Sequence, residues 1–187
     1  MPRPKFKEID RAYGFDEIAL VPGDVTVNPD QTNIDFTVRD LTLSIPILAS
    51  AMDAIVDTAS AIEFARLGGL PVLNLEGIQT RYENPDEILN RIAQTPEKEV
   101  TPLLQTIYSE PIKEKLISRR IGAIKQAGAI CAVSVTPANT KRLAPIAKDA
   151  GMDILVVQST VTTARHISKS YRGLILPELA NRWPCLS

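Results

Sequence analysis

The chain has 187 residues, two cysteines and a net charge of −1 from 21 basic and 22 acidic residues. This length suits one domain with a substantial core, and the near-neutral charge excludes the basic surface that nucleic-acid binding requires. No apolar run approaches the ~20 residues that span a bilayer, so no membrane partner is expected. Two cysteines do not make a disulfide framework, and the first residues lack the apolar segment of a signal peptide. We therefore expect a cytoplasmic protein.

Residues 1–44 do not share the pattern of the rest of the chain. The apolar run that starts at Phe15 ends at Pro22-Gly23, which is a turn signal. Residues 37–43 alternate polar and apolar side chains with period two, which predicts a half-exposed strand. We interpret residues 1–44 as an N-terminal arm with a small hairpin.

From Ile45 onward, helical segments alternate with short apolar runs. Glycine follows the helix at Gly68, Gly128 and Gly151, where a positive φ would release the last helical carbonyls. Unbroken Val, Ile and Leu runs favour strands that are buried on both faces of a parallel sheet. Four strands are predicted, over residues 45–50, 70–75, 130–135 and 154–158.

The predicted helices follow from caps and prolines. Asp57 or Thr58 caps the first helix, and Asn84-Pro85 opens a second that Pro96 and Pro102 should break. Three more helices are predicted, from about residue 111 to 127, from 139 or 140 with a kink or late start at Pro145, and from 163 to 171.

A repeating helix-and-strand pattern of this kind is typical of a β/α barrel. An eight-unit TIM barrel takes about 250 residues, so the pattern predicts an α/β fold holding about the first four units of such a barrel. Residues 45–176 would form this half-barrel, residues 177–187 a divergent tail, and the N-terminal hairpin would plug the bottom. A doubly wound open sheet is the alternative, and composition alone does not exclude it.

Candidate binding residues follow from the rule that ligands bind beyond the carboxyl ends of the strands. That rule selects four short segments, although Ser, Thr, Asn and Asp there also suit ordinary loops and helix caps. The segments are Ser50-Ala51-Met52-Asp53, Asn74-Leu75-Glu76-Gly77, Thr136-Pro137-Ala138-Asn139 and Gln158-Ser159-Thr160.

Catalytic and metal-binding candidates are few. The single histidine, His166, has no second histidine with which to bind a metal, so no metal site is expected, and a surface or packing role is favoured for it. Cys131 lies in an apolar strand without an adjacent cation that would lower its pKa, and Cys185 lies in the tail. No glycine-rich Rossmann or P-loop motif occurs.

Three motifs in order resemble the opening of the IMP dehydrogenase and GMP reductase family. They are Phe15-Asp16-Glu17 with the run to Pro22, the strand that ends in Ser50-Ala51-Met52-Asp53, and Gly68-Gly69-Leu70 after a helix. The resemblance covers residues 12–176. It is closest to the short subfamily without CBS domains, because residues 78–117 cannot hold the CBS pair that interrupts longer members.

The resemblance implies an enzyme that oxidises IMP to xanthosine monophosphate with NAD in guanine nucleotide synthesis. In this family a loop cysteine attacks the purine, hydride passes to the nicotinamide, and water hydrolyses the covalent intermediate. Carried over, Ser50 contacts ribose or phosphate, Met52 contacts the base, and Asp53 helps to fix their loop.

The cofactor side of the resemblance falls on the end of the fourth strand. Gln158, Ser159 and Thr160 match the NAD side, with Gln158 where the dehydrogenases place an aspartate. Asn74 and Glu76 likewise stand where the family more often has His and Asn.

The family's cysteine loop, phosphate-binding loops and Arg-Tyr flap belong to the second half of the barrel and have no match after Gly173. We therefore assign no catalytic residue in this chain and expect the isolated chain to be inactive, with an end that looks truncated. A half-barrel should also expose strand edges and self-associate, while full-length relatives are homo-oligomers. A GMP reductase-like, NADPH-linked member and a non-catalytic half-barrel are the alternatives.

Overall fold

A computed structural model describes residues 11–159 and 173–182 of the chain. The chain divides into two units at Asn33 and Ile34, and each unit is described by itself. The predicted helix over 163–171, Thr160, His166 and Cys185 lie outside the described residues.

The described part of the first unit, residues 11–33, is an extended arm with two short 3-10 turns. The turns are Phe15–Glu17 and Pro29–Gln31. The amide of Gly14 donates to Glu17 Oε2 at 2.9 Å and closes the first turn. Large apolar side chains along this arm are exposed, Phe15 at 92% and Val21 at 84%.

The second unit opens with a two-stranded antiparallel hairpin. Strand β1 is Phe36–Val38 and strand β2 is Leu41–Leu43, with Phe36 opposite Leu43. The prediction of one strand over residues 37–43 was wrong, because the chain turns at Arg39, which takes a positive φ of 55°. Period-two alternation is the same in one strand and in two strands joined by a two-residue turn.

Four parallel strands form the main sheet, in the order in which they occur along the chain. They are β3 (Leu48–Ala49), β4 (Leu70–Asn74), β5 (Ala132–Val135) and β6 (Ile154–Val157). A doubly wound sheet reverses its strand order at a switch point, and this one does not. The sheet is therefore the first part of a TIM-type β/α barrel, as predicted.

Strand β3 is shorter than the predicted range of residues 45–50. Pro46 has no amide hydrogen, and the amide of Ile47 bonds locally to the Ile45 carbonyl at 2.8 Å instead of to a neighbouring strand. Only Leu48 and Ala49 are in register with β4, although the Ile47 carbonyl accepts from the Leu70 amide at 2.9 Å.

Six helices lie between and after the strands in the described residues. They are α1 (Thr58–Arg66), α2 (Pro85–Gln94), α3 (Glu97–Ser109), α4 (Glu114–Gln126), α5 (Pro137–Asp149) and α6 (Leu176–Arg182). Asp57 caps α1, as predicted, by accepting from the Ser60 amide at 2.6 Å. Gly68, Gly128 and Gly151 all have the predicted positive φ.

Two prolines stand inside helices that the sequence analysis expected them to interrupt. Pro102 lies within α3, where its missing amide removes one intrahelical bond without ending the helix. Pro145 lies within α5, which starts at Pro137 and not at residue 139 or 140. Proline suits that first helical position, since the first amides lack helical partners in any case.

The core has two layers, one on each face of the sheet. Helices α1, α4 and α5 cover one face through a cluster that includes Leu73, Val133, Ile121 and Leu143, each at most 1% exposed. On the other face, Leu43 of the hairpin packs with Leu70, Val72 and Ala132. Alternate residues of β4 therefore face the two core layers. The polar segment that follows β4 begins at the end of this buried strand.

Within the described residues no helix is long and apolar enough to cross a bilayer.

Candidate functional site

The loops after β3, β4 and β5 meet at the carboxyl edge of the sheet, which is where β/α folds bind ligands. The β4–β5 register pairs Asn74 with Ser134, so the segments after these strands start side by side. The predicted binding segments at Ser50 and at Asn74 are linked directly through Asp53.

Asp53 is buried, at 9% exposure, and its carboxylate connects three elements. Its Oδ2 accepts from the Ile78 amide at 3.0 Å and from the Tyr108 hydroxyl at 2.5 Å. Asn74 Nδ2 donates to Oδ1 at 3.5 Å. A Cβ at Gly77 would lie 1.8 Å from Oδ1, so only glycine allows this approach. The side chain of Asp53 is therefore engaged by the protein and not free for a ligand.

Ser50 and Met52 precede Asp53 on the same loop and present exposed side chains. Backbone bonds hold this loop tightly, since the Ser50 carbonyl accepts from the Met52 amide at 2.8 Å. The Met52 carbonyl accepts from the Ile55 and Val56 amides, both at 2.9 Å. Met52 is 50% exposed, and other side chains of this loop such as Ile55 are exposed as well, whereas Asp53 is buried. The Ser50 hydroxyl and the Met52 thioether are therefore both exposed on one loop at the carboxyl edge.

The structure shows a role for Glu76 that could not be inferred from the sequence. Its carboxylate accepts from the Thr136 amide, from the Thr136 hydroxyl at 3.1 Å and from Asn139 Nδ2. Thr136 is the N-cap residue of α5, so Glu76 supplies the negative charge that a helix N-terminus favours. The loops after β4 and β5 are joined by this contact, and the N-terminus of α5 is already occupied by the protein's own carboxylate.

Tyr108 is a site residue that sequence reasoning missed. It lies in the last turn of α3, 41% exposed, with the Arg81 guanidinium 5.8 Å from its ring centroid. Burial, and then its bond to Asp53, raise the pKa of the Tyr108 hydroxyl, which remains a donor at neutral pH. Its partner lies 55 residues away in sequence, and no local pattern could have pointed to the pair.

Gln158 and Ser159 follow β6 at the same edge, and both side chains are exposed. The Gln158 amide donates to the Val135 carbonyl at 3.0 Å, which fixes its backbone beside β5. Their companion Thr160 falls outside the described residues.

Cys131 lies at the opposite edge and is 1% exposed. Burial, with a smaller contribution from Asp153, raises the pKa of its thiol to about 12, although Lys125 opposes the shift. Asp153 accepts from Lys125 Nζ and from the Cys131 amide, both at 2.7 Å. Such a thiol is a poor nucleophile at neutral pH. The sequence analysis expected no cation beside it, whereas the fold brings Lys125 near enough to oppose the rise in pKa without reversing it.

A cleft of about 400 Å³ lies beside the carboxyl edge of the sheet, and neither Ser50 nor Met52 lines it. Asp57, Gln79 and Asn84 line it together with Arg120, whose pKa is lowered first by burial and then by Arg119. Arg120 donates to the carbonyls of Gln79 and Glu83 at 3.2 and 3.0 Å. The guanidinium of Arg120 is therefore engaged by backbone carbonyls of the protein itself.

Among residues 11–159 and 173–182, no group of three or more His, Cys, Asp or Glu side chains is arranged to hold a metal ion.

Comparisons with known proteins identify the family of the chain. Residues 12–174 match the family model described as the IMP dehydrogenase / GMP reductase domain. An uncharacterized oxidoreductase of Mycolicibacterium smegmatis is 32% identical over 171 residues, covering 89% of this chain and 46% of that protein. The inosine-5'-monophosphate dehydrogenase of Methanocaldococcus jannaschii is 41% identical over 70 residues, covering 37% of this chain and 14% of that protein.

A solved structure extends the match to three dimensions. The IMP dehydrogenase/GMP reductase-like protein from Corynebacterium glutamicum superposes with a TM-score of 0.83 at 28% identity, covering 91% of this chain and 46% of that one. This chain spans about half the length of the relatives that match most of it. The resemblance seen in the sequence is thereby confirmed, and the chain belongs to the IMP dehydrogenase / GMP reductase family, an oxidoreductase lineage.

Proposed function

We propose that this chain forms the purine-nucleotide-contacting part of a barrel that oxidises IMP to xanthosine monophosphate with NAD. The observation that carries the proposal is the loop of Ser50 and Met52, which is fixed by backbone bonds and by Asp53 while both named side chains stay exposed. The Ser50 hydroxyl suits a ribose or phosphate oxygen, and the Met52 thioether suits the face of a purine.

Gln158 and Ser159 are the residues of the described chain that would hold the cofactor. Both offer exposed polar side chains at the end of β6, on the same carboxyl edge as the proposed nucleotide loop and separated from it by β4 and β5. An amide and a hydroxyl fit the hydroxyl groups of a ribose, and Thr160 completes the proposed set. When bound, NAD supplies the acceptor for hydride.

The 187-residue chain is proposed to bind the nucleotide without oxidising it. The family's reaction needs a thiolate, and Cys131 is buried with a raised pKa on the far edge of the sheet. Cys185 lacks the Gly-Ser neighbours of the family's cysteine loop.

A titration of the chain with IMP, followed by NADH formation, tests this function. We expect saturable binding that Ser50→Ala weakens, and no NADH above the enzyme-free rate. The matched control is Ser118→Ala, which changes an exposed serine on α4. Absence of IMP binding would refute the substrate, and turnover by this chain would refute the proposed inactivity.

Gln158 supports a second candidate, a GMP reductase-like protein that uses NADPH. A carboxylate at this position would repel the additional phosphate of NADPH, whereas the neutral amide of Gln158 does not. Binding of NADPH that is tighter than binding of NAD, together with tighter binding of GMP than of IMP, would favour this candidate. Binding of none of the four would favour a non-catalytic half-barrel.

We also propose that the chain associates with itself or with a complementary half-barrel. At edge strand β3, Leu48 is 52% exposed and the preceding Ile47 is 57% exposed. At the other end of the sheet, every residue of β6 is only partly buried. In the described residues β6 pairs with β5 alone. Sedimentation velocity should show dimers or larger species, and a monomer at all concentrations would contradict this proposal.

A further inference from the structure

We infer that Tyr108 is a positioning residue for the loop that carries Ser50 and Met52. Its hydroxyl donates to Asp53 Oδ2 at 2.5 Å, and Asp53 is the residue directly after Met52. Helix α3 is one of three helices between β4 and β5. It would thus set the geometry of the loop that carries Ser50 and Met52. The inference rests on the proposed function only for its effect on IMP affinity.

Asp53 can transmit this effect because it has little freedom of its own. It is 9% exposed, and Gly77 approaches it so closely that no side chain would fit between them. The Ile78 amide and the Tyr108 hydroxyl share the same carboxylate oxygen. Once the Tyr108 donor is removed, that restraint is lost, and we expect the carboxylate to turn toward the Ile78 amide and to shift Met52 with it.

Tyr108 is itself held from two sides, so its hydroxyl arrives at Asp53 in a defined position. Tyr82 donates from its hydroxyl to the carbonyl of Ile107 at 3.0 Å, and Ile107 is 2% exposed. Arg81 lies near the Tyr108 ring and donates from Nε to the Glu76 carbonyl at 3.0 Å. The end of α3 is therefore anchored to the segment after β4.

Methionine methyl NMR provides a test in the intact chain. The protein has three methionines, and Met52 reports on the loop while Met152, which follows α5 and packs against the core, reports on the fold. Tyr108→Phe removes the hydroxyl and keeps the ring. We expect it to shift or broaden the Met52 methyl resonance and to leave that of Met152 unchanged.

Ser109→Ala is the matched control, since it removes a bonded hydroxyl from the residue after Tyr108 without touching Asp53, Tyr82 or Arg81. It should leave Met52 near its original shift. Asp53→Asn is the second variant, and adding Tyr108→Phe to it should move Met52 little further, because Tyr108 acts on the loop through Asp53. An unmoved Met52 in Tyr108→Phe, or an equal response in Ser109→Ala, would overturn the inference.

An IMP titration separates this inference from the proposed function. If Tyr108→Phe leaves the loop in its binding geometry about one-tenth of the time, the apparent affinity for IMP falls about tenfold. A Met52 shift in the free Tyr108→Phe variant supports the positioning role even where IMP binds neither form, which would count against the proposed substrate alone. Unchanged IMP affinity in a variant whose Met52 has shifted would show that the loop does not govern nucleotide binding.

Discussion

The two edges of the parallel sheet are both cross-linked by carboxylates, but in different ways. At the amino edge, Asp153 accepts from the charged Lys125 and from the Cys131 amide. At the carboxyl edge, Asp53 and Glu76 accept from amides, hydroxyls and a side-chain amide, and within the described ranges neither forms an ion pair. The carboxylate at the amino edge is neutralised by a lysine. The carboxylates at the carboxyl edge, which carries Ser50 and Met52, are held by neutral hydrogen-bond donors.

This difference matches what each edge has to do. An ion pair tolerates small displacements, because Coulomb attraction falls slowly with distance. Hydrogen bonds from neutral donors depend strongly on direction, so they hold a loop in one geometry. The carboxyl edge therefore gains a defined loop geometry from these neutral donors.

The largest expected effect is on the reactivity of Cys131 at the amino edge. In a Cys185→Ser variant at pH 8, the remaining thiol should react with a disulfide reagent about 10³-fold more slowly in the folded than in the urea-unfolded chain, because its pKa rises from 9.0 to about 12. Equal rates would show that this edge opens readily.

The same pKa shift predicts how stability changes at high pH. Since the unfolded thiol loses its proton first, the unfolded state binds fewer protons between pH 9 and about pH 12. The contribution of Cys131 to the free energy of unfolding should therefore fall through that range, and Cys131→Ala should remove this dependence. A variant that keeps the full dependence would assign it to other groups.

Gly77→Ala tests how closely the carboxyl edge is packed. A Cβ there would meet Asp53 Oδ1 at 1.8 Å, so the carboxylate must leave its donors, and the free energy of unfolding should fall by about 3 kcal/mol. Gly122→Ala is the control, because nothing lies within 4 Å of its Cβ position in α4 and alanine favours the helix. Urea unfolding measures both. Equal stability of the two variants would contradict the close packing.

Asp153→Ala tests the amino edge. It removes the acceptor of the buried Cys131 amide along with the ion pair, and we expect a loss of about 2 kcal/mol by urea unfolding. Lys125→Met removes only the ion pair and should cost about 1 kcal/mol or less, since this lysine side chain is 36% exposed. Equal losses would mean that the ion pair and not the backbone bond stabilises this edge.

The smallest effect is expected for Glu76→Gln. A glutamine still accepts one hydrogen bond at the start of α5 but gives up the charge that the helix N-terminus favours, so about 1 kcal/mol should be lost. Glu114→Gln, in the exposed first turn of α4, should cost less than half of that. Thermal unfolding in low salt distinguishes the two. A larger loss for Glu114→Gln would show that Glu76 is not a cap.

The sequence predicted the parts of the fold that depend on local chemistry. Asp57 caps α1 and Gly68 ends it with a positive φ because both roles are decided within a few residues. The turn at Arg39 and the helix through Pro102 were missed. Whether a chain turns at two residues, or a helix continues through a proline, depends on the packing around that segment.

The candidate site was predictable only in part for the same reason. The carboxyl-edge rule selected Ser50, Met52 and Asp53, and the structure places them on one loop at that edge. Their roles toward a nucleotide stay predictions. Tyr108 and the link from Glu76 to Thr136 span 55 and 60 residues, and contacts at such separations leave no periodicity to detect.

The consecutive strand order has a consequence for how the chain folds. Paired residues in β3 and β4 lie 22 residues apart, as do those in β5 and β6, whereas those in β4 and β5 lie 60 apart. Closing that longer loop costs about 0.9 kcal/mol more in chain entropy. We expect two rapidly formed strand pairs whose docking, delayed by the α2–α3 segment between them, limits the rate of folding.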